Sequence, residues 1–500
     1  MFKIKISVLL LLVLLTSNAM TQENSIGIFR QGNNLASSYK SAIYNSEDQS
    51  YILSAKSLDK REQSGSVYND IAGDFIITAN VDQSKMALEG RAGLMVNQSP
   101  GKNTIQLKAT VDGNGRTYFQ WSNSPEAGEA DSNKISAPKY NYDVLQLERK
   151  GKTILMRAAH WGEPLQDIGS VKLEELGDTV KVGLFINSQN GNNNYDQANF
   201  WNVRIDKPVS ENYNPGKEGW IGCRMEILDV DNGKRRVIYE KDDRFEAPNW
   251  MPSGDKLLFN MDGSLFTIPV EGGKPQKLNT GFADNLNNDH GISFNGEIIA
   301  ISHHVENKGS LVYTVPIDGG TPELVTPEGP SYWHGWAPNN QEVVYVAMRK
   351  GSSGYNIYKK SIKGGDEVAL TNTKEGEHVD GCEYSPDGKY IYYNGSASGT
   401  MQIWRMKPDG SAKEQLTFDA RNDWFPHISP DGKWIAYISF PSTIPVNDHP
   451  SFKRVTLNIM PTTGGAPRVI AYLYGGQGTI NVPSWSPDSK YLAFVSNSGK

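Results

Sequence analysis

Apolar and polar residues alternate over short runs from about residue 245 onward, and the runs recur as one phrase. It reads WMPSGDKLLFN at Trp250, ISFNGEIIAIS at Ile292, WAPNNQEVVYV at Trp336, YSPDGKYIYYN at Tyr384, ISPDGKWIAYI at Ile428 and WSPDSKYLAFV at Trp485. Each phrase predicts a short strand, a tight turn and an alternating strand. A second hairpin follows, marked by Gly272-Gly273, Gly319-Gly320, Gly364-Gly365, Asp409-Gly410 or Gly464-Gly465. The phrases start 42, 44, 48, 44 and 57 residues apart, the length of a four-stranded propeller blade. The sixth phrase has no outer hairpin after it. A matching pair, Cys223 to Tyr239 with an Asn232-Gly233 turn, stands before the first phrase, so the pattern predicts a ring closed by its two ends.

The preceding part alternates without that repeat. Runs such as GDFIITANV, RTYFQWSN, VLQLERKG, VKVGLFIN and ANFWNVRI lie between Gly-, Asn- and Asp-rich turns, which predicts an antiparallel β-sandwich. The fold class is therefore all-β, with a sandwich over 25–208, a turn-rich linker over 209–219 and a six-bladed propeller over 220–500. Before these, a basic start, the apolar run Ile6 to Leu15 and the small residues Ser17 and Ala19 read as a signal peptide over 1–19. That run is too short to span a bilayer. The expectation is an exported protein, periplasmic or at the cell surface, with no membrane insertion.

A net charge of −6 argues against a nucleic-acid backbone as partner. Cys223 and Cys382 are the two cysteines and fall in different repeats, so they read as free thiols rather than a disulfide framework. No G-x-S-x-G nucleophile elbow occurs, which leaves a propeller peptidase without support.

The chemistry concentrates in the histidines. His290 and His334 share one register in adjacent blades, and His378 and His427 also precede inner strands. His303 and His304 end a second strand, and His449 lies in an enlarged loop, so seven of the eight histidines are assigned to one rim. Imidazoles converging from neighbouring blades suit one divalent transition metal such as Mn, Zn or Fe. Asn288-Asp289, Asp380 and Asn422-Asp423 supply carboxylates and amides beside them. The rim also carries Tyr332, Trp333, Trp424 and Phe425, with Arg349, Lys350, Lys374 and Arg421. Aromatic rings stack on sugars and guanidinium groups pair with carboxylate or sulfate, so Tyr332, Trp333, Trp424, Arg349 and Arg421 are candidate substrate-binding residues.

The SPDGK phrases, the segment Gln402-Ile403-Trp404 to Gly410 and the Gln415 to Thr417 run resemble TolB-type six-bladed propellers over about residues 213 to 500. That resemblance implies binding of other envelope proteins. The sandwich segments are similar to the concanavalin-like lectin and glucanase group. Glucan-hydrolysing members carry an acidic E-x-D-x-x-E strand, and neither Glu148 nor Glu174-Glu175 stands in such a pattern, so binding is favoured over hydrolysis. Trp121, Trp161 and Trp201 could offer flat rings to a sugar or pack in the core. The repeat and rim histidines also resemble oligogalacturonate lyases, although six repeats depart from the seven associated with that family. By position, that resemblance implies His290, His334 and His427 as metal ligands and His378 or His304 as catalytic base. The partner expected is an acidic polysaccharide or oligosaccharide, with envelope proteins as the alternative.

Overall fold

The computed structural model describes residues 25–33, 41–56, 63–98, 105–122, 133–188 and 195–499; the leader expected over 1–19 lies outside them. Ahead of the propeller, two seven-stranded antiparallel sheets pack face to face. One runs, in spatial order, from Gln31–Asn33 through Gln63–Ala72, Thr179–Ser188, Arg91–Asn97, Gln106–Asp112 and Arg116–Ser122 to Asn133–Tyr140. The other runs from Gln166–Lys172 through Thr153–Ala159, Val144–Lys150, Phe75–Lys85, Tyr195–Asp206 and Ser50–Lys56 to Ala42–Asn45. The alternation read from sequence sends Val67, Leu94, Phe119 and Leu184 from the first sheet against Ile77, Leu145, Leu147 and Phe200 from the second, forming one core.

The linker holds a single helical turn, Pro215–Glu218, which the turn-rich composition did not signal; the Asn214 side chain caps it by accepting from the Gly216 amide. Beyond it stands a six-bladed propeller. Five blades are four-stranded antiparallel sheets whose innermost strands are Glu246–Trp250, Leu286–Ile292, Ser331–Trp336, Val379–Tyr384 and Asn422–Ile428. The sixth joins the two ends of the segment: Tyr491–Ser498 pairs with Gly222–Asp229, in register from Gly222 opposite Ser498 to Asp229 opposite Tyr491, and Arg235–Lys241 completes the sheet. An eight-residue ladder closing the ring leaves no edge at the seam.

A device absent from the repeat phrase positions the site. All five of those inner strands break register with the second strand near the same end, at Glu246/Asn249, Leu286/His290, Trp333/Gly335, Asp380/Glu383 and Trp424/His427. A bulge leaves residues unpaired and re-aims their side chains. Ala247, Gly381 and Phe425 take positive φ of 57°, 53° and 54° within three of these bulges. In the second and third blades the unpaired residues, Asn287 to Asp289 and His334, are polar.

A polar pocket at the axis of the propeller

Bulged residues of the second, third and fifth blades line a pocket of about 290 Å³. Asn287, Asn288 and Asp289 come from the second blade's bulge, His334 from the third and Phe425 from the fifth. Tyr332, Tyr355, His378 and Asp380 add to the wall, and Asn447, His449, Gln477 and Asn481 close it from the last two blades. Amides, phenols, imidazoles and carboxyl groups on a partly apolar frame are the lining of a small-molecule site.

Asp380 is its electrostatic centre. His334 Nε2 lies 2.7 Å from one carboxylate oxygen, while His449 Nε2 and His378 Nε2 stand 3.7 Å and 3.9 Å from the other. Burial alone would raise the Asp380 pKa, but the charge and hydrogen bond of His334, together with His378, hold it well below the usual carboxylate range. Burial opposes the charged form of His334 in turn, and Asp380 outweighs it, so the ring titrates above its ordinary value. His449 goes the other way: burial lowers it despite Asp380, and its ring packs 4.4 Å from that of Trp424. Asp289 accepts a 2.6 Å hydrogen bond from Asn287 Nδ2, and burial pushes its carboxyl up to about 7. One pocket thus holds a carboxylate kept ionised by its imidazoles and a carboxyl whose pKa burial raises to about 7.

Of the residues singled out from sequence, His334, His378 and Tyr332 line this pocket, together with the rim neighbours Asn288, Asp289, Asp380, Phe425 and His449. The others lie elsewhere. His290 is fully buried, its Nδ1 3.1 Å from the Asn288 carbonyl, and burial lowers its pKa to about 4. His427 has both ring nitrogens engaged, Nδ1 2.7 Å from Glu383 and Nε2 2.5 Å from the Ile480 carbonyl, and so stitches the fourth, fifth and sixth blades together. His290, His334 and His427 therefore do not meet as a metal triad, and among the described residues no group of three His, Cys, Asp or Glu side chains could hold a metal ion.

Trp333 and Trp424, candidates for substrate binding, are 1% and 0% exposed and present no face to a sugar ring. Trp333 fills space that the missing side chain of Gly291 leaves open: a Cβ there would sit 1.9 Å from the indole. Arg349 is clamped onto Glu367 by bonds of 2.6 and 2.8 Å, and exposed His304 ends a strand outside the pocket. Arg421 lines a different cavity, between the two domains. In the sandwich, Trp121 packs against the core, and Trp161 packs against the propeller with the Arg468 guanidinium 4.6 Å from its ring.

Arg244, Asn447, Gln477 and Asn481 also line the pocket and were not singled out from sequence. A signal for three of them existed. The 57-residue interval between the last two phrases exceeds the others, and its extra length contains Asn447, His449, Gln477 and Asn481.

Fold and site define a TolB-like six-bladed β-propeller with a polar axial pocket. No family model matches the chain. Over 281 residues it is 43% identical to "Uncharacterized protein Atu1656" of Agrobacterium fabrum, covering 56% of this chain and 94% of the relative. It is 42% identical to a solved structure, "The structure of putative TolB from Agrobacterium tumefaciens", with a TM-score of 0.53 over 56% of this chain and 100% of that one. The chain belongs to the family of these Agrobacterium proteins. The propeller alone can supply the matched length. TolB from Acinetobacter baumannii aligns at 14% identity and a TM-score of 0.40 over 66% of this chain and 79% of that one, too distant to bear on function.

Proposed function

We propose that this chain is an exported glycan-handling protein whose axial pocket takes an acid-bearing saccharide. The observation that carries this reading is the convergence of His334, His378 and His449 on Asp380 in a pocket walled by asparagines, a glutamine and two tyrosines. Amide and phenol groups match sugar hydroxyls, and Arg244, exposed at the pocket and paired with buried Glu246 at 2.8 Å, adds a guanidinium to the wall that an acid group could share. His378, whose side chain is 21% exposed against 26% for His449 and 4% for His334, lines the pocket and is taken here as the imidazole that accepts a proton from a bound ligand. Removal of a proton beside a sugar carboxylate, with the electron pair forming a C=C bond as the adjacent C–O bond breaks, is the elimination such a base would serve. Asp289 is the carboxyl that could protonate the departing oxygen. The three histidines proposed earlier as metal ligands do not meet, so this reading routes no step through a metal.

The test is calorimetric titration of the purified chain with neutral and acidic oligosaccharides, alongside absorbance of an unsaturated uronate product. Weakening of the axial binding event in Asp380→Asn and turnover lost in His378→Ala support the reading. Silence on every acidic saccharide, in both binding and turnover, sinks it. A second reading, a non-catalytic envelope protein that binds other proteins, is favoured by the relative described as TolB. It predicts a protein partner whose binding is indifferent to Asp380→Asn.

A further inference from the structure

A second cavity, of about 440 Å³, lies between the sandwich and the fifth blade and shares no lining residue with the axial pocket. Both domains build it: Thr78, Gln146 and Arg157 from one side, Arg421, Tyr437 and Arg454 from the other. Its borders are fixed by bonds across the domains. The Val469 amide donates to the Gly162 carbonyl at 3.0 Å, and the Tyr472 hydroxyl donates to the Glu163 carbonyl. Domain boundaries are preferred places for ligand sites, and this volume is in the range of such sites.

The cavity's cations are incompletely used. Arg454 reaches Glu148 through Nη2, and Arg421 donates to the Ser439 carbonyl through Nη2 at 2.9 Å, but the Nε of each is buried without a hydrogen-bond partner. An acid group entering the cavity would meet the guanidinium faces that Arg421 and Arg454 present to it. The carboxylates on the same wall are otherwise engaged. Asp206 is held 2.5 Å from Arg224, and Asp419 accepts from the Arg421 backbone amide at 2.7 Å. Behind Arg421, burial and the neighbouring Asp419 push the Asp423 carboxyl up to about 7, which weakens it as a counter-charge. Around the arginines stand hydroxyl and amide groups, Ser439, Thr456 and Asn458, and the rings of Tyr437, Tyr472 and Tyr474.

We infer that this interdomain cavity is a second ligand site, for a small sugar acid whose carboxylate pairs with Arg421 and Arg454 and whose ring and hydroxyls meet the tyrosine and amide wall. The site stands independently of what the axial pocket binds. A ligand there touches both domains, so binding also fastens them together.

The experiment titrates the full chain with D-galacturonate and D-glucuronate, with galactose, glucose and inorganic sulfate for comparison. The variants are Arg421→Gln, Arg421→Lys and Asp380→Asn. Both uronates are expected to bind wild type and to raise its unfolding temperature. That event should persist in Asp380→Asn and weaken about tenfold or more in Arg421→Gln. Arg421→Lys keeps the charge but loses the planar fork of guanidinium donors; it should weaken binding too, and it carries the test should Arg421→Gln fail to fold. The assignment is overturned by unchanged uronate binding in a folded Arg421 variant, by no binding to wild type, or by complete loss in Asp380→Asn. Equal binding of sulfate or of the neutral sugars overturns it as well.

Discussion

The Nε2 of His334 lies 2.7 Å from a carboxylate oxygen of Asp380, a contact that joins the third and fourth blades at the floor of the axial pocket. The pair exists because His334 is the residue left unpaired between Trp333 and Gly335, so its ring swings off the ladder toward the next blade. His290, at the same sequence register one blade earlier, stays in the ladder opposite Ile301 and is buried. The charge of Asp380 then serves three imidazoles at once, which makes it the residue on which the pocket's electrostatics depend.

Replacing Asp380 by Asn keeps the shape and removes that charge. The expected result is a folded protein that binds its axial ligand at least about tenfold more weakly, the scale of one lost charge-assisted hydrogen bond. Calorimetric titration beside circular dichroism checks it; unaltered affinity would show that the His334–Asp380 pair is structural only.

His378 and His304 both stood as base candidates from sequence, and the structure separates them. His378 lines the pocket with its ring 3.9 Å from Asp380, whereas His304 is exposed on the end of the second blade's second strand. His378→Ala should abolish turnover of an acidic saccharide while leaving the unfolding temperature within a few degrees; His304→Ala should leave both as in wild type. Equal losses in the two variants would detach the chemistry from this pocket.

Much of the fold was legible because blade phrases are periodic. Spacing, turn residues and the displaced outer hairpin at Cys223 to Tyr239 gave six blades and their seam, which the Cys223–Asn497 register bears out. The site was only half legible. Counting back from the turn treats every inner strand as regular, yet each of the five has a bulge, and the bulges differ in length: Asn287 to Asp289 in the second blade, His334 alone in the third. That difference sends His290 inward and His334 to the axis. Burial of Trp333 was hidden for a related reason, since it depends on a glycine in the neighbouring blade.

That glycine supports a stability prediction. A Cβ on Gly291 would lie 1.9 Å from the buried Trp333 ring, in a core where the indole has no room to retreat. Gly291→Ala should therefore destabilise the propeller by about 1–3 kcal/mol or more, read as a lower unfolding midpoint in denaturant. Pairing it with Trp333→Leu should recover part of the loss. A stable single variant would mean the second and third blades slide apart more easily than their packing suggests.

The last prediction concerns the joint between the domains. Arg204 of the sandwich reaches Glu226 of the closing blade at 2.7 Å, Arg235 stands 3.6 Å away, and the Ser496 hydroxyl donates at 2.5 Å to the other carboxylate oxygen. Burial would raise the Glu226 pKa, but Arg204 and Arg235 outweigh it and bring it down to about 2. An unfolded Glu titrates at about 4.3, so below that value the unfolded chain binds the extra proton and stability falls with pH. The contribution of Glu226 is therefore fully present above about pH 4.3 and disappears as pH drops through about 2. Glu226→Gln should cost about 3 kcal/mol at neutral pH, because it leaves Arg204 and Arg235 buried without their counter-charge. The same variant should lose the part of the acid destabilisation that falls between those two values. Denaturant unfolding of both proteins across that interval reads the difference directly, and parallel curves would show that the acid sensitivity of the joint resides in other carboxylates.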